Sequence, residues 1–314
     1  MYSGAMEPYL DEGPREIFDA WHRSLVQQFT RDLTFPEIRK GVQALSSLYV
    51  GARGKLAPAG DAAFDGAGKR AGFALYFAPL HFLTVYHAVR EIELDALPFA
   101  RLWDLGCGTG VGGAAWGLAQ RYSAALEAGP SPGAGARGPK IVGVDRSGFA
   151  LDEAAATYRA FGLRGETRRL DLGAGTAAEP GGARPAMLKI GAAPSSAPAR
   201  RARRPGGASP LRGDDAVILA YTLNELHDPA REALLHDLMI GGLTSRPLVI
   251  VEPVARRVAP WWPRWERALG DESLSLHSLE LRKRVELPEW IAGMDRAAGL
   301  DHSELTARVL GVIG

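Results

Sequence analysis

The chain has 314 residues, with 37 lysines and arginines against 36 aspartates and glutamates, and 46% of its residues are hydrophobic. This length can bury one large domain, or one domain with an appendage, and a formal net charge of +1 gives no global attraction to nucleic acid or membranes. The single cysteine, Cys107, excludes a disulfide framework and a cysteine-based metal cluster within one chain. The acidic amino terminus has no apolar signal core, and no apolar run of membrane-spanning length is apparent, so we expect a cytoplasmic protein without a membrane partner.

The sequence pattern of residues 1–95 predicts a helical amino-terminal region. Thr34 and Glu37 form a capping box ahead of apolar residues at helical spacing. After a turn-rich segment, aromatic and aliphatic residues from Gly72 to Ile92 recur in helical register, and Pro79 is expected to kink or restart this helix. We interpret its aromatic face as core packing, with a lid over a substrate as the alternative.

The stretch RLWDLGCGTGVGG predicts a strand, a tight turn and a helix. An apolar run ends at Asp104, glycines follow at Gly106, Gly108 and Gly110, and an alanine-rich segment continues from there. Such glycines allow positive φ and let a ligand lie on the backbone, toward which the helix directs its free N–H groups. A carboxylate just before the turn suits a cationic ligand better than a phosphate. A second strand, KIVGVD, ends in another acid at Asp145.

The pattern D-x-G-x-G-x-G, followed by an acid at the end of the next strand, resembles the S-adenosylmethionine site of class I methyltransferases. The resemblance implies an α/β fold, with a Rossmann-like sheet flanked by helices over residues 96–314. It also implies that the glycine loop faces the methionine part of the cofactor, that Asp145 takes both ribose hydroxyls, and that a residue after the third strand lies beside the adenine. The implied cofactor-binding residues are Asp104, Gly106, Cys107, Gly108, Gly110, Asp145, Arg146, Asp171, Leu172 and Tyr221. No metal is implied.

A dinucleotide-binding fold is the competing interpretation, because Gly108, Gly110 and Gly113 also spell G-x-G-x-x-G. In that fold the first glycine follows the strand at once, whereas Gly108 comes four residues after Asp104. A nicotinamide or flavin nucleotide is therefore the second cofactor hypothesis.

The rest of the chain predicts the remaining strands and one long insertion. Ser147 to Leu163 is a capped helix, and Gly173 to Gly213 is so rich in Gly, Ala, Pro and Arg that we expect a disordered loop. Its arginines, Arg200 to Arg204, are interpreted as solvated, with RNA contact as the alternative. Apolar fourth and fifth strands follow, and the chain ends in what looks like one strand, so the predicted sheet is one strand short.

Polar residues after the fourth strand are the candidates for catalysis. Methyl transfer from a sulfonium is a direct displacement, in which the enzyme aligns the acceptor and removes its proton. Asn224 could orient an acceptor, and Glu225 or His227 could take the proton. Capping of the helix that begins near Asp228 explains Asn224 and Glu225 equally well.

A narrower resemblance rests on FPEIRKGVQALSSLY, on LNELHD after the fourth strand and on LVIVEP at the fifth. These stretches are similar to the methyltransferase-like family of small ribosomal subunit assembly. The chain departs from that family in VEPVARR, which lacks the expected Gly-Thr, and in the absence of cluster-ligating cysteines. We expect an S-adenosylmethionine-dependent methyltransferase acting on rRNA or in subunit assembly. The alternatives are a small-molecule O- or N-methyltransferase and a catalytically inactive assembly factor that binds the cofactor.

Overall fold

The computed structural model describes residues 6–51, 64–128, 138–173, 215–240, 246–254, 259–272 and 275–313. The predicted insertion at 173–213 lies outside these ranges apart from Gly173, and so does the arginine cluster from Arg200 to Arg204. Within the described ranges, helices flank one mixed β-sheet.

This sheet has eight strands among the described residues. In chain order they are β1 (Glu7–Pro8), β2 (Arg101–Leu105), β3 (Lys140–Asp145), β4 (Arg164–Arg169), β5 (Asp215–Ala220), β6 (Leu248–Glu252), β7 (Ser275–Glu286) and β8 (Glu304–Ile313). Their order across the sheet is β1-β7-β8-β6-β5-β2-β3-β4. Strands β2 to β6 are parallel, whereas β8 runs antiparallel to both of its neighbours, β6 and β7.

The chain changes direction across the sheet between β2 and β5. From β2 it passes outward to β3 and β4, and it then returns to β5 and continues to β6. Both central strands are buried almost throughout, which is why most of their residues are apolar. In open α/β sheets, ligands bind at such a switch point, outside the carboxyl ends of the strands. The predicted Rossmann-like α/β fold is confirmed, and its switch point is the place to look for a site.

The helices cover both faces of the sheet. They are α1 (Glu12–Phe29), α2 (Phe35–Gly51), α3 (Ala67–Gly72), α4 (Ala78–Glu91), α5 (Val111–Ala128), α6 (Gly148–Ala160), α7 (Asp228–Ile240), α8 (Trp262–Glu272) and α9 (Glu289–Ala298). Neighbouring residues of β2 show the two layers, because Leu102 packs in the apolar cluster that contains α1 and α4 to α6, whereas Trp103 packs with α7 and α8.

The helical amino-terminal region shares its core with the sheet domain. Rings from α1 and α4 pack on Phe161, which follows α6: Phe82 stacks on it at 4.7 Å between centroids and Trp21 lies at 5.3 Å. The aromatic face around Phe77 is largely buried, so the prediction of core packing is confirmed for most of it. His81, which stays partly exposed, is the exception that matters for the site.

The helix around Pro79 is continuous but not uniform. A five-residue π-helical segment, Phe73–Phe77, joins α3 to α4, and Pro79 lies in the first turn of α4, as the prediction of a restart requires.

The stretch Ala67–Glu91 is long and apolar enough to cross a membrane, so the prediction that the sequence has no such run was wrong. Of its most apolar window, 94% is buried inside the protein, as in a core helix. One half of the predicted capping box is present: the Thr34 N–H donates to Glu37 Oε2 at 2.7 Å, whereas the Thr34 hydroxyl donates to the same oxygen at 2.6 Å instead of accepting from the Glu37 N–H.

The prediction that the sheet is one strand short was wrong. Residues 275–286 form β7, which pairs with β8 over ten residues, from Ser275 opposite Ile313 to Arg284 opposite Glu304. Charged and small polar residues dominate β7, and most of its side chains are exposed or half-buried. A strand that lies near the edge of the sheet needs few apolar side chains, and Leu281 and Val285 are its buried ones.

Candidate active site

The glycine loop after β2 turns tightly at the switch point. Gly106, Gly108 and Gly110 all have positive φ, of 70°, 51° and 79°. The Gly106 N–H donates to the Val144 carbonyl at 2.8 Å, so the loop is anchored to β3. A Cβ on Gly106 would lie 2.3 Å from Thr222 Cγ2, whereas a Cβ on Gly108 would meet nothing within 4 Å. The loop is therefore closed against the protein at Gly106 and open at Gly108.

Asp104 stabilises this loop through buried hydrogen bonds. Its side chain is 1% exposed, and Oδ2 accepts hydrogen bonds from the Gly113 N–H at 2.7 Å and the Tyr158 hydroxyl at 3.3 Å. Burial raises the pKa of this carboxyl to about 7; the Gly113 and Tyr158 hydrogen bonds oppose the shift, and the Asp145 charge adds to it. Asp104 thus fixes the first turn of α5 to the end of β2. Direct contact of Asp104 with a cofactor stays a prediction.

Gly113 has a structural explanation that the dinucleotide pattern did not supply. A Cβ at this position would lie 2.8 Å from Asp104 Oδ2 and 2.9 Å from Ile141. Glycine is required there by the close approach of the buried carboxylate to the helix. The last glycine of G-x-G-x-x-G is therefore accounted for by packing alone.

The acid at the end of β3 lies next to the open part of the loop. Asp145 Oδ2 accepts from the Gly108 N–H at 3.0 Å and Oδ1 accepts from the Ser147 N–H at 2.8 Å. The side chain stays partly exposed, as does that of Arg146. Each carboxylate oxygen can accept a further hydrogen bond, so Asp145 retains the capacity to hold a pair of hydroxyls.

Asp171 and Leu172 follow β4, which pairs with β3, and so lie at the same edge of the sheet. Asp171 is exposed, and its Oδ1 accepts from the Gly173 N–H at 2.8 Å. Leu172 is 6% exposed and packs in the cluster that contains Trp103. Cys107 is also buried, within the loop itself, and burial raises the pKa of its thiol, so it is no nucleophile in this state.

A second turn, after β5, faces the glycine loop across the switch point. Tyr221 has a φ of 58°. Among the described residues other than glycine, it is one of two with a positive φ. Such backbone strain persists only where the surroundings enforce it, and it is frequent at functional sites. Thr222 ties the two turns together, because its hydroxyl donates to the Leu105 carbonyl at 3.0 Å. A short 3₁₀ helix, Leu223–Glu225, follows.

This second turn is held by a buried side chain from the next strand. Glu252, at the end of β6, is 0% exposed; its Oε1 accepts from the Leu223 N–H and its Oε2 from Asn224 Nδ2, both at 2.7 Å. Asn224 Oδ1 in turn accepts from Trp261 Nε1 at 3.1 Å. Burial raises the pKa of Glu252 to about 8, and Glu225 adds to the shift. Asn224 is committed to this network rather than to a free position in a cleft.

Arg231 completes the support. It is 7% exposed, donates to the Leu223 carbonyl at 3.3 Å and lies over the Trp261 ring at 5.3 Å. Both backbone groups of Leu223 are thereby bonded to side chains. The sequence patterns assign no site role to Glu252, Trp261 or Arg231, and the acid in LVIVEP was the available signal.

Glu225 is the exposed acid of this turn. Desolvation in the crowded turn raises its pKa to about 7; the Asp145 charge adds to the shift and Arg146 opposes it. Helix capping does not explain Glu225 or Asn224, because His227 caps α7 by accepting from the Ala230 N–H at 3.2 Å. A general base is most effective when its pKa lies near the working pH, so Glu225 remains the candidate base of this turn.

Neither protein-family models nor curated proteins match this chain. Solved structures similar to it include a magnesium protoporphyrin IX methyltransferase with bound SAM from Synechocystis PCC 6803, at 17% identity and a TM-score of 0.39, over 76% of this chain and 84% of that one. A TehB-like SAM-dependent methyltransferase from Corynebacterium glutamicum has 14% identity and a TM-score of 0.36, over 73% and 88% of the two chains. A candidate RNA methyltransferase from Pyrococcus horikoshii has 12% identity and a TM-score of 0.37, over 80% and 86%.

Proposed function

We propose that this chain is an S-adenosylmethionine-dependent methyltransferase whose cofactor lies across the open side of the glycine loop. The observation that carries the proposal is the pairing of Gly108 with Asp145. Gly108 has free space where a Cβ would be, and its N–H is bonded to a partly exposed carboxylate that can accept two more hydrogen bonds. A backbone open to a ligand and an adjacent pair of hydroxyl acceptors suit a nucleoside.

The cofactor would supply a sulfonium methyl group, and residues of this chain would orient the cofactor and accept the proton of the acceptor. The Gly106 to Gly110 loop and Asp145 orient the cofactor, and the field of Asp104 and Asp145 favours a cationic ligand over a phosphate. This charge balance also supports S-adenosylmethionine over a nicotinamide or flavin dinucleotide. Glu225 takes the acceptor proton, and Asn224, held by Glu252 and Trp261, keeps the turn that presents Glu225 in place.

Calorimetry with S-adenosylmethionine tests the proposal. Asp145→Ala removes two charge-assisted hydrogen bonds to the ribose, each worth about 1.5–3 kcal/mol, so affinity should fall by about 100-fold or more. Asp152→Ala, which removes an exposed acid on α6, is the matched control and should bind like the wild type. Thermal unfolding of both variants checks that the loop stays folded. No binding by the wild type, or NAD binding in its place, contradicts the proposal.

The acceptor proposed from the narrower resemblance is rRNA, within small ribosomal subunit assembly. One contact supports the resemblance: the stretches LNELHD and LVIVEP meet in the Asn224–Glu252 hydrogen bond, so they form one structural unit. Native lysate incubated with methyl-labelled cofactor and separated into RNA, protein and small molecules tests this acceptor. Label in rRNA that is lost with Glu225→Gln supports it. Retained cofactor binding with no labelled fraction favours the inactive assembly factor instead.

A further inference from the structure

Four aromatic rings from three parts of the chain form a continuous wall beside the second turn. Tyr49 of α2 meets Phe77 edge-on at 5.4 Å, and Phe77 lies 6.5 Å from His81 of α4. His81 stacks face to face on Tyr221, with 3.8 Å between centroids and 17° between planes. We name Tyr49, Phe77, His81 and Tyr221 the aromatic wall.

The aromatic wall lies next to Glu225, the proposed base. Glu225 lies four residues after Tyr221, and its charge adds to the rise in the pKa of Tyr49 that burial causes. The wall and Glu225 therefore lie beside each other at the carboxyl edge of the sheet. This region reaches solvent: Tyr49 is 38% exposed, and His81 and Tyr221 are half-buried, unlike the core rings of the same helices.

The electrostatics of the region disfavour anionic acceptors. His81 is neutral, because burial and the neighbouring His302 lower its pKa to about 3, and burial raises the pKa of both tyrosines of the wall. The charges next to Glu225 are Asp145 and Arg146. Ionised Glu225 and Asp145 carry two negative charges against the one positive charge of Arg146, so the region is negative and disfavours carboxylates and phosphates. Uncharged aromatic faces, in contrast, bind planar rings by stacking and edge contacts.

We propose that this region is the acceptor site of the methyltransferase, and that it takes a neutral planar aromatic ring bearing a hydroxyl or ring N–H. The inference rests on the proposed function and adds the class of substrate. The acceptor O–H or N–H bond breaks and its proton goes to a Glu225 carboxylate oxygen. The freed electron pair forms the bond to the methyl carbon, and the carbon–sulfur bond breaks with its pair left on sulfur. The protonated Glu225 then returns its proton to water.

Binding of 2-naphthol in the presence of S-adenosylhomocysteine tests the site without knowledge of the natural acceptor. The wild type should bind 2-naphthol more tightly than 2-naphthoate, which has the same rings and a negative charge, and than trans-2-decalol, which is not planar. Tyr49→Ala should weaken 2-naphthol binding by about 3- to 10-fold, the usual size of an aromatic pair. Phe35→Ala is the matched control, because Phe35 lies on the same helix, is 41% exposed and meets Trp290 edge-on as Tyr49 meets Phe77.

The outcomes separate this inference from the proposed function. A wild type that binds S-adenosylhomocysteine but not 2-naphthol overturns the acceptor site alone, as does equal weakening by Tyr49→Ala and Phe35→Ala, or equal affinity for the three probes. A wild type that does not bind S-adenosylhomocysteine overturns the proposed function as well. Glu225→Gln should keep 2-naphthol affinity within about twofold and lose transfer of labelled methyl to an accepted ring.

The source of the ring is read from the labelled fractions of the lysate. Label on a free aromatic compound identifies a small-molecule acceptor, and label on a nucleobase identifies the same ring chemistry within RNA. Both outcomes support the site. Label on an aliphatic or carboxylate acceptor overturns it.

Discussion

The two turns that meet at the switch point use the same device over different lengths of chain. In the glycine loop, the buried carboxylate is Asp104, which stands nine residues before the backbone N–H of Gly113 that it binds. In the turn after β5, the buried carboxylate is Glu252, which comes from the neighbouring strand and reaches back 29 residues to the N–H of Leu223. Both carboxylates are at most 1% exposed, and burial raises the pKa of both.

The difference shows what each turn depends on. The glycine loop is shaped by its own backbone, since its glycines take φ values that other residues avoid. The turn after β5 contains no glycine, and a network of Glu252, Asn224, Trp261 and Arg231 holds it instead. The first turn should therefore fail when its glycines change, and the second when a distant side chain changes.

The largest expected loss of stability comes from Gly106→Ala, because the added Cβ clashes with Thr222 where the two turns meet. A positive φ costs about 1–2 kcal/mol for alanine, and the approach of 2.3 Å to Thr222 adds about 1–3 kcal/mol of overpacking. Urea unfolding should show a loss of about 2–5 kcal/mol. Gly108→Ala is the matched control: it has the φ penalty without the clash, so it should lose about 1–2 kcal/mol yet weaken S-adenosylmethionine binding. Equal losses of stability would show that the two turns do not press on each other.

The second prediction concerns pH and separates the two carboxylates. A carboxyl whose pKa is raised by folding stabilises the protein at low pH, and this contribution is lost as pH rises through the folded value of about 7 for Asp104 and about 8 for Glu252. Between pH 6.5 and 8.5 the free energy of unfolding should fall by on the order of 1 kcal/mol, because His22, His81 and His87, whose pKa values folding lowers, still lose charge in the unfolded chain near pH 6.5 and offset part of the loss.

Unfolding of two variants across that range assigns the loss. Glu252→Gln cannot ionise and should flatten most of the profile, because the contribution of Glu252 falls up to its pKa of about 8, whereas that of Asp104 falls only up to about 7. Asp104→Asn should flatten only the part near pH 7. A wild-type profile that rises with pH would contradict the raised pKa values.

The smallest expected effect is that of Tyr158→Phe. Its hydroxyl reaches Asp104 at 3.3 Å, and loss of one such hydrogen bond should cost about 0.5–1 kcal/mol. The pKa of Asp104 should rise further, because the tyrosine hydroxyl favours the charged carboxylate. Unfolding at pH 6 and pH 8 measures both effects. A loss comparable to that of Gly106→Ala would mean that Tyr158, rather than the glycines, shapes the loop.

The fold and the first turn could be predicted from the sequence because their determinants are local. Asp104 and Asp145 lie at the ends of β2 and β3, the glycines follow β2 directly, and the apolar runs of β5 and β6 reflect burial on both faces. Asn224 and Glu225 were chosen by their position after the fourth strand alone. Their separate roles could not be predicted, because the partners of Asn224 lie 28 and 37 residues further along the chain.

Strand β7 was missed for a related physical reason. The sequence SLHSLELRKRVE has the composition of a surface, and its partner β8 begins 18 residues after β7 ends. The aromatic wall was only partly predicted: the aromatic helix was recognised, but the stack of His81 on Tyr221 joins residues 140 positions apart. Such contacts are products of the packed fold and leave no periodic pattern.

The two ends of the sheet bear on how the protein avoids aggregation. A sheet edge with unpaired backbone groups can recruit a strand from another chain. At one end β1 consists of Glu7 and Pro8, and proline has no N–H to offer a further strand, while Glu7 is paired to Lys283 at 2.7 Å. At the other end, β4 carries exposed Arg164, Arg168 and Arg169. Among the described residues, an approaching strand would meet the arginines of β4 on one side and, on the other, the proline of β1 beside a β7 that carries the charged side chains of Glu280, Arg282 and Lys283, and both features disfavour further strand pairing.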